Sequence, residues 1–286
     1  MTRINIYASE LATLIGINPY QKIKDSLLKL WQKCDEEDYE RTLDYIEQTK
    51  QIKFEVKQDD IENVKKIAFE SGINMNKINE CLNTANTSEL LQKRNELLKE
   101  SQSQITNPQK MVEFKKTLES ATNKNFGTKN ESNVMELYKQ KTGKNVLTPS
   151  KYVNKKLCSY NGRDWYIGGK IDGITDDNIV IEIKNRMYRL FNSMKDYEKP
   201  QLQSYLYILG PTKGHLVECV KGRNGSNINI IEEQFDEEYW NNFVLYRLNN
   251  FIKIYNIFLN DIQMKTFVLL GDENEVNQTL LQFVIQ

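Results

Sequence analysis

Two carboxylates and a lysine fall within one short stretch of this chain. It reads Gly168-Gly169-Lys170-Ile171-Asp172-Gly173, then a turn at Asp176-Asp177-Asn178, then Ile179-Val180-Ile181-Glu182-Ile183-Lys184-Asn185-Arg186. Strand alternation sends Ile179, Ile181 and Ile183 to one face and Val180, Glu182 and Lys184 to the other. The isoleucine face can pack under helices, while the opposite face projects a carboxylate beside an ammonium. If the two strands pair across the turn, Asp172 comes alongside Glu182. Carboxylates that close repel each other unless a cation lies between them. Oxygen ligands favour Mg²⁺ or Mn²⁺ over zinc. The chemistry this suits is metal-assisted phosphodiester hydrolysis, in which one ion polarises the phosphate and acidifies a water, and a second, roughly 3.5–4 Å away, steadies the leaving oxygen. Lys184 would hold or help deprotonate that water, or neutralise charge on the phosphorus. Glu-x-Lys alone reads as an ordinary surface ion pair; the preceding Gly-Gly-x-x-Asp-Gly and the apolar alternation favour the chemical reading.

The elements that must position these groups are legible from pattern and punctuation. Strands are expected at about 145–153 and 155–160, joined through an Asn161-Gly162 hairpin turn to further strands at about 164–174 and 179–184. A helix at about 198–209, a hairpin across Arg223-Asn224-Gly225 and a long amphipathic helix at about 236–261 follow. Upstream, Ser9 stands as the expected N-cap of a short helix at 10–15, and a second helix covers about 22–37. Residues 38–107 turn polar and helical, with helices near 58–70, 75–83 and 88–102. A helix runs from Pro108 to Phe126-Gly127, and another from about 128 to 142, closed by Gly143. The expected organisation is therefore 1–37 as the N-terminal helical part of a nuclease domain, 38–107 as a helical insertion, and 108–286 as the core with its C-terminal helix.

Composition narrows the class further. Lys plus Arg number 39 and Asp plus Glu 39, so formal net charge is zero; a nucleic-acid site must concentrate its positive charge locally. Arg186 and Arg189 lie where backbone phosphates would be met. Ser9 with Lys22 and Lys24 marks a second anion site, at a helix start. Cys34, Cys81, Cys158 and Cys219 are scattered without a CxxC pair, which argues against a zinc site or an iron–sulfur cluster and for free thiols. No apolar run reaches the length of a membrane span, and no signal-peptide pattern opens the chain, so an intracellular protein without membrane attachment is expected. His215, the only histidine, falls in an expected strand and reads as structural.

The Asp-x₉-Glu-x-Lys spacing and its flanks resemble the YqaJ-type viral recombinases, a family related to phage lambda exonuclease within the PD-(D/E)XK nucleases. Gly127-Thr128-Lys129-Asn130-Glu131 resembles the family's acidic helix, which implies Glu131 as a third metal-facing carboxylate. Ile183 joins Asp172 and Glu182 among the metal ligands the resemblance implies. Pro200-Gln201-Leu202-Gln203-Ser204-Tyr205-Leu206 is similar to the family's Gln/Tyr helix, with Gln201 the first choice for a catalytic role and Gln203 and Tyr205 beside DNA. Tyr7-Ala8-Ser9-Glu10-Leu11 and Gly16-Ile17-Asn18-Pro19-Tyr20 resemble the family opening, whose serine meets a terminal phosphate. The resemblance covers about 1–25 and 120–215.

What it implies is an α/β, restriction-endonuclease-like mixed sheet flanked by helices, with a helical insertion. The implied activity is a Mg²⁺-dependent 5′-to-3′ exonuclease on double-stranded DNA ends, with two ions per site, serving viral DNA recombination, repair or replication. A single-strand annealing recombinase would be its partner, and the cytoplasm of a host cell or a viral replication site its location. Relatives can form rings that encircle DNA, so a homo-oligomer is an expectation that no residue here carries by itself. Two rivals keep the fold: a structure-selective or site-specific endonuclease with the same active site, and a non-catalytic DNA-end-binding recombination protein. Intact Asp172, Glu182 and Lys184 favour the enzymes.

Overall fold

Glycine-bearing turns and one strand break divide the β-structure into two sheets. The computed structural model describes residues 2–54, 59–147, 152–222 and 225–286. The chain opens on β1 (Thr2–Tyr7), a 3₁₀ turn (Ala8–Glu10) and α1 (Leu11–Leu14), then α2 (Ile23–Cys34) and α3 (Glu36–Lys50). Helices α4 (Asp60–Glu70), α5 (Met75–Asn83) and α6 (Thr87–Gln104) lead into α7 (Pro108–Thr142). Strands β2 (Val146–Leu147), β3 (Val153–Tyr160), β4 (Arg163–Gly169), β5 (Gly173–Thr175) and β6 (Val180–Arg186) follow. Next come α8 (Lys199–Leu209), β7 (Lys213–Gly222) and β8 (Gly225–Gln234). The tail holds α9 (Glu237–Tyr239), a π turn (Trp240–Leu245), α10 (Tyr246–Asn260), α11 (Ile262–Leu270) and α12 (Glu273–Ile285).

The Asn161-Gly162 turn forms as its composition predicts. Both residues have positive φ, 49° and 76°, the pair of left-handed conformations that a tight hairpin needs. Strand β3 therefore folds back on β4, with Tyr160 opposite Arg163. Strand β1, which the pattern did not announce, adds parallel to the other edge of β4, with Tyr7 opposite Gly168. This three-stranded sheet has the order β1-β4-β3, and a five-stranded sheet the order β2-β5-β6-β7-β8. The strand expected at 164–174 is thus two strands, and Lys170–Asp172 is the crossing between the sheets. Gly169 makes the crossing possible, since a Cβ there would come within 2.7 Å of the Tyr205 hydroxyl.

The faces of β6 sort as alternation dictates. Ile181 and Ile183 pack with Val134, Met135 and Tyr138 of α7. Val180 packs with Leu202, Tyr205 and Leu206 of α8. Helix α8 also serves as the crossover between parallel β6 and β7. The inner face of the smaller sheet (Ile4, Ile6, Trp165, Ile167) is covered by α2 and by α10–α12 through Trp31, Phe251, Tyr255, Phe258 and Leu280. Helices α4–α6 share a separate core with the first half of α7, where Phe114, Leu118 and Ala121 are fully buried.

Several boundaries differ from the expectations. Helix 108–142 is continuous through Gly127, because tertiary packing on both halves outweighs one glycine's weak propensity. The helix expected over 22–37 stops at Cys34, where Asp35 caps α3 by accepting from the Asp38 N–H. Helix α3 joins the core through Tyr39, which packs on Trp31 at 4.9 Å between ring centroids. The segment expected as one helix at 236–261 is helical throughout but carries the π turn. Residues 148–151 of the expected 145–153 strand, and Arg223 and Asn224 of the expected hairpin turn, lie outside the described residues. Among the described residues no helix is long and apolar enough to cross a membrane.

Candidate active site

Strand β5 pairs antiparallel with β6, Gly173 opposite Ile181, which sets Asp172 beside Glu182 at the end of the hairpin. The Asp172 carboxylate is fixed by the Ile183 backbone N–H, which donates to its Oδ2 at 2.7 Å. Glu182 is 3% exposed. The Lys184 ammonium donates to Glu182 Oε1 at 2.8 Å and to Gln201 Oε1 of α8 at 2.9 Å. Glu182 and Lys184, which strand alternation places on one face, and Gln201, which the resemblance implies, therefore meet in one hydrogen-bonded line.

Burial pushes the Glu182 carboxyl up to about 7, against the pull of Lys184 and with the push of Asp172. Burial likewise raises Asp172 to about 6, with Glu131 adding to the rise and the Ile183 N–H opposing it. Desolvation works against the Lys184 ammonium, but the Glu182 carboxylate outweighs it and the lysine is held above its ordinary value. Glu131 stands within the continuous helix α7, not at a helix start, so no helix terminus supports its charge. Its carboxyl is raised by desolvation first and by Glu182 second, while Lys170 and Lys184 pull it down. Lys170 is the residue that sequence reasoning missed. It lies inside the quoted Gly-Gly-Lys-Ile-Asp motif, and its charge acts on both Glu131 and Asp172.

Other expected residues do different work. Arg186 is not presented to solvent: its guanidinium is bound by Glu198 at 2.6 and 2.9 Å and by Glu218 at 2.8 Å. Glu218 also accepts the N–H groups of Phe191 and Asn192, so this buried knot fastens the 187–198 loop. Arg189 is exposed. Gln203 is fully buried and donates to Glu233 Oε1 and the Gln234 carbonyl, both at 2.7 Å. It ties α8 to β8 and faces no DNA. Tyr205 is buried too, and its hydroxyl donates to the Lys170 carbonyl at 3.2 Å, which supports the crossing that carries Asp172.

The anion site expected at Ser9, Lys22 and Lys24 does not form. Ser9 lies exposed within the 3₁₀ turn, whose N-cap is Tyr7 without a side-chain cap bond, and α1 is only four residues long. Lys22 is paired with Glu273 at 3.1 Å and donates to Asn274. The charges of Lys22 and Lys24 both act on Glu273, whose carboxyl is lowered chiefly by the Lys22 hydrogen bond. The sequence shows two lysines but not the acidic helix start, far along the chain, that pairs with Lys22. His215 is buried with Nδ1 at 2.7 Å from the Tyr138 hydroxyl, consistent with a structural role. All four cysteines are free thiols.

Counting the buried knot and the hairpin together, Asp172, Glu182, Glu198 and Glu218 lie around Lys184 and Arg186, with the Lys170 charge acting on Asp172 from the crossing: four carboxylates to three cations. Asp172 and Glu182 are the pair whose carboxyls are driven upward, chiefly by burial. A donor set of that kind, oxygen-only and in excess, fits a divalent cation. Ile183 can contribute only through its backbone carbonyl, as its side chain has no donor atom. Among the described residues no three acidic, imidazole or thiol side chains converge into a closed ligand cluster; Glu131 acts on the other two from across the site.

Residues 86–209 match the family model of the YqaJ-like viral recombinase domain. Over this stretch the chain is similar to that family. The match takes in Glu131, Asp172, Glu182, Lys184 and Gln201. It opens further upstream than the 120–215 stretch of resemblance and does not extend to Ser9, Lys22 or Lys24. With α7 and α8 on opposite faces of β6, the chain has the helix-flanked mixed α/β architecture that the sequence implied. Among solved structures, the chain is similar to SSO0001 at 21% identity and a TM-score of 0.36, over 59% of this chain and 86% of that one. It is also similar to the alkaline exonuclease LHK-Exo from Laribacter hongkongensis, at 15% identity and a TM-score of 0.38, over 72% and 93%. The same enzyme in complex with dAMP matches at 14% and 0.32, over 66% and 89%. No curated protein matches.

Proposed function

We propose that this chain is a divalent-metal-dependent deoxyribonuclease that degrades duplex DNA from its ends, 5′ to 3′, in recombination, repair or replication of viral or mobile DNA. The observation that carries the reading is Asp172 beside the hydrogen-bonded line Glu182–Lys184–Gln201, with its surplus negative charge, inside the stretch that matches the YqaJ-like family model. Asp172, Glu182 and the Ile183 carbonyl, with Glu131 opposite, are the groups that would hold Mg²⁺ or Mn²⁺. Such ions, two in the expected arrangement, supply a Lewis acid for the scissile phosphate and a water of lowered pKa.

The protein's own share is positioning. The Ile183 N–H holds Asp172 in one orientation. The Lys184 ammonium has three donors, of which Glu182 and Gln201 take two, leaving one for the attacking water or the developing charge on phosphorus. Gln201 thereby sets the lysine's direction, and Tyr205 steadies the crossing from behind.

The test is digestion of end-labelled linear duplex and closed circular duplex, with Mg²⁺ and with EDTA. Linear DNA should lose a 5′ label before a 3′ label, circles should stay closed, and EDTA should stop the reaction. Opened circles would favour the endonuclease reading. Retained end binding with no cleavage in Mg²⁺ or Mn²⁺ would favour the non-catalytic one.

A further inference from the structure

The outer face of the three-stranded sheet has no part in the site just described. Alternation along β1 buries Ile4 and Ile6 and turns Arg3, Asn5 and Tyr7 outward. In register they meet Asp164, Tyr166 and Gly168 of β4, and Asn154 of β3 lies opposite Gly168. Arg3, Asn5, Tyr7, Tyr152 and Asn154 line a groove of about 330 Å³, large enough for a small-molecule-sized group.

Its chemistry is not that of a plain solvated sheet. Arg3 makes no ion pair among the described residues. Two neutral amide oxygens hold its guanidinium instead, Asn5 Oδ1 at 3.0 Å and Asn154 Oδ1 at 2.9 Å. The guanidinium carbon sits 4.0 Å from the centroid of the Tyr166 ring. A guanidinium oriented in this way keeps its whole charge and offers a preset plane. Tyr7 and Tyr152 meet edge to face at 6.2 Å, and the Lys33 ammonium of α2 reaches the Tyr7 hydroxyl. Among the described residues the one carboxylate on this face, Asp164, is taken up by Lys156 and Ser159. Gly168 lies beneath Tyr152, where a Cβ would come within 2.7 Å of the tyrosine hydroxyl. From Gly168 the chain runs through Gly169, Lys170 and Ile171 directly to Asp172.

Cations without carboxylate partners, interleaved with aromatic rings, bind nucleic acid whose base faces are free. A duplex keeps those faces stacked inside, so this chemistry selects an unpaired strand. We propose that the Arg3–Tyr166–Tyr152–Tyr7 groove binds single-stranded DNA and holds the unpaired strand beside the nuclease centre. The choice of DNA as the nucleic acid rests on the function proposed above.

Fluorescence anisotropy in EDTA, with a labelled short oligothymidylate and a duplex of equal length, tests this without cleavage. Arg3→Ala combined with Tyr152→Ala should weaken single-strand binding by about tenfold or more and duplex binding by less than about twofold. Arg3→Lys, which keeps the charge but not the plane, should stay several-fold weakened. Asn154→Asp, at an exposed position, should weaken single-strand binding by placing a carboxylate in the groove. Unchanged oligothymidylate binding in the double variant, wild-type binding in Arg3→Lys, or equal losses on both DNAs would each overturn the proposal. If the wild type cleaves nothing in Mg²⁺ or Mn²⁺ yet these differences hold, the nuclease reading fails and the groove stands. Cleavage without groove-dependent binding overturns the groove alone.

Discussion

Asp172 is the residue at which stability and function pull in opposite directions. Its folded carboxyl titrates at about 6 and that of Glu182 at about 7, both above the ordinary carboxylate range. Between about pH 4 and 7 the metal-free folded state therefore holds protons that the unfolded chain has released. Stability from these two groups is present at low pH and is lost as pH rises through their folded values, the reverse of a paired surface carboxylate. Asp172→Asn should consequently raise the melting temperature over wild type in EDTA at pH 8 but not at pH 4. The gain should be on the order of 2 kcal/mol. In Mg²⁺ at pH 8 the order should narrow or invert, because only the wild type gains binding energy. The same variant should lose at least about 10²-fold in cleavage rate. A melting difference that does not vary with pH would refute the account. Glu182 and Lys184 were legible because alternation fixes which side chains share a face, and Asp172 because the turn brings its strand beside theirs. Arg186 shares that face too, and nothing local to it distinguishes a cation awaiting phosphate from one enclosed by Glu198 and Glu218. Partner identity is a tertiary fact, and Gln203 and Tyr205 were misplaced for the same reason.

At the level of elements, short-range rules succeeded where the chain obeys them without competition. The Asn161-Gly162 hairpin and the helix bounds Asp60–Glu70 and Met75–Asn83 follow from turn residues, caps and periodicity. Gly127 failed as a stop signal because α7 is held on one half by α4–α6 and on the other by β6. Apart from its own helix backbone and chain neighbours, nothing among the described residues lies within 4 Å of where its Cβ would be, so Gly127→Ala meets no obstacle. That substitution should stabilise the protein by roughly 0.5–1 kcal/mol through helix propensity and a less flexible unfolded chain. Denaturant melts would show the midpoint rising with unchanged slope; a loss of stability would mean that the helix is interrupted there. The break at Lys170–Asp172 was invisible because 164–174 keeps a strand-like pattern across it. Only the close approach of Tyr205 to Gly169 reveals why the chain changes sheets.

On the scale of the whole molecule, the sequence announced the larger sheet and its two flanking helices, but not how the chain's ends meet. Ile4 and Ile6 of β1 share a core with Val276, Leu280 and Val284 of α12, and Lys22 pairs with Glu273. Contacts between residues so far apart leave no periodic trace in either segment. The parallel pairing of β1 with β4 has one further consequence, for the order of folding. Hairpin β3–β4 closes across two residues, a local event, whereas β1 must wait for a partner about 160 positions later. During synthesis its apolar positions stay unmatched until most of the polypeptide has been made, and loop closure over such a span is slow. Nascent chains stalled before residue 163 should thus expose the first strand to protease, while chains extended past α12 should protect it. Early protection would mean that β1 finds its place without β4.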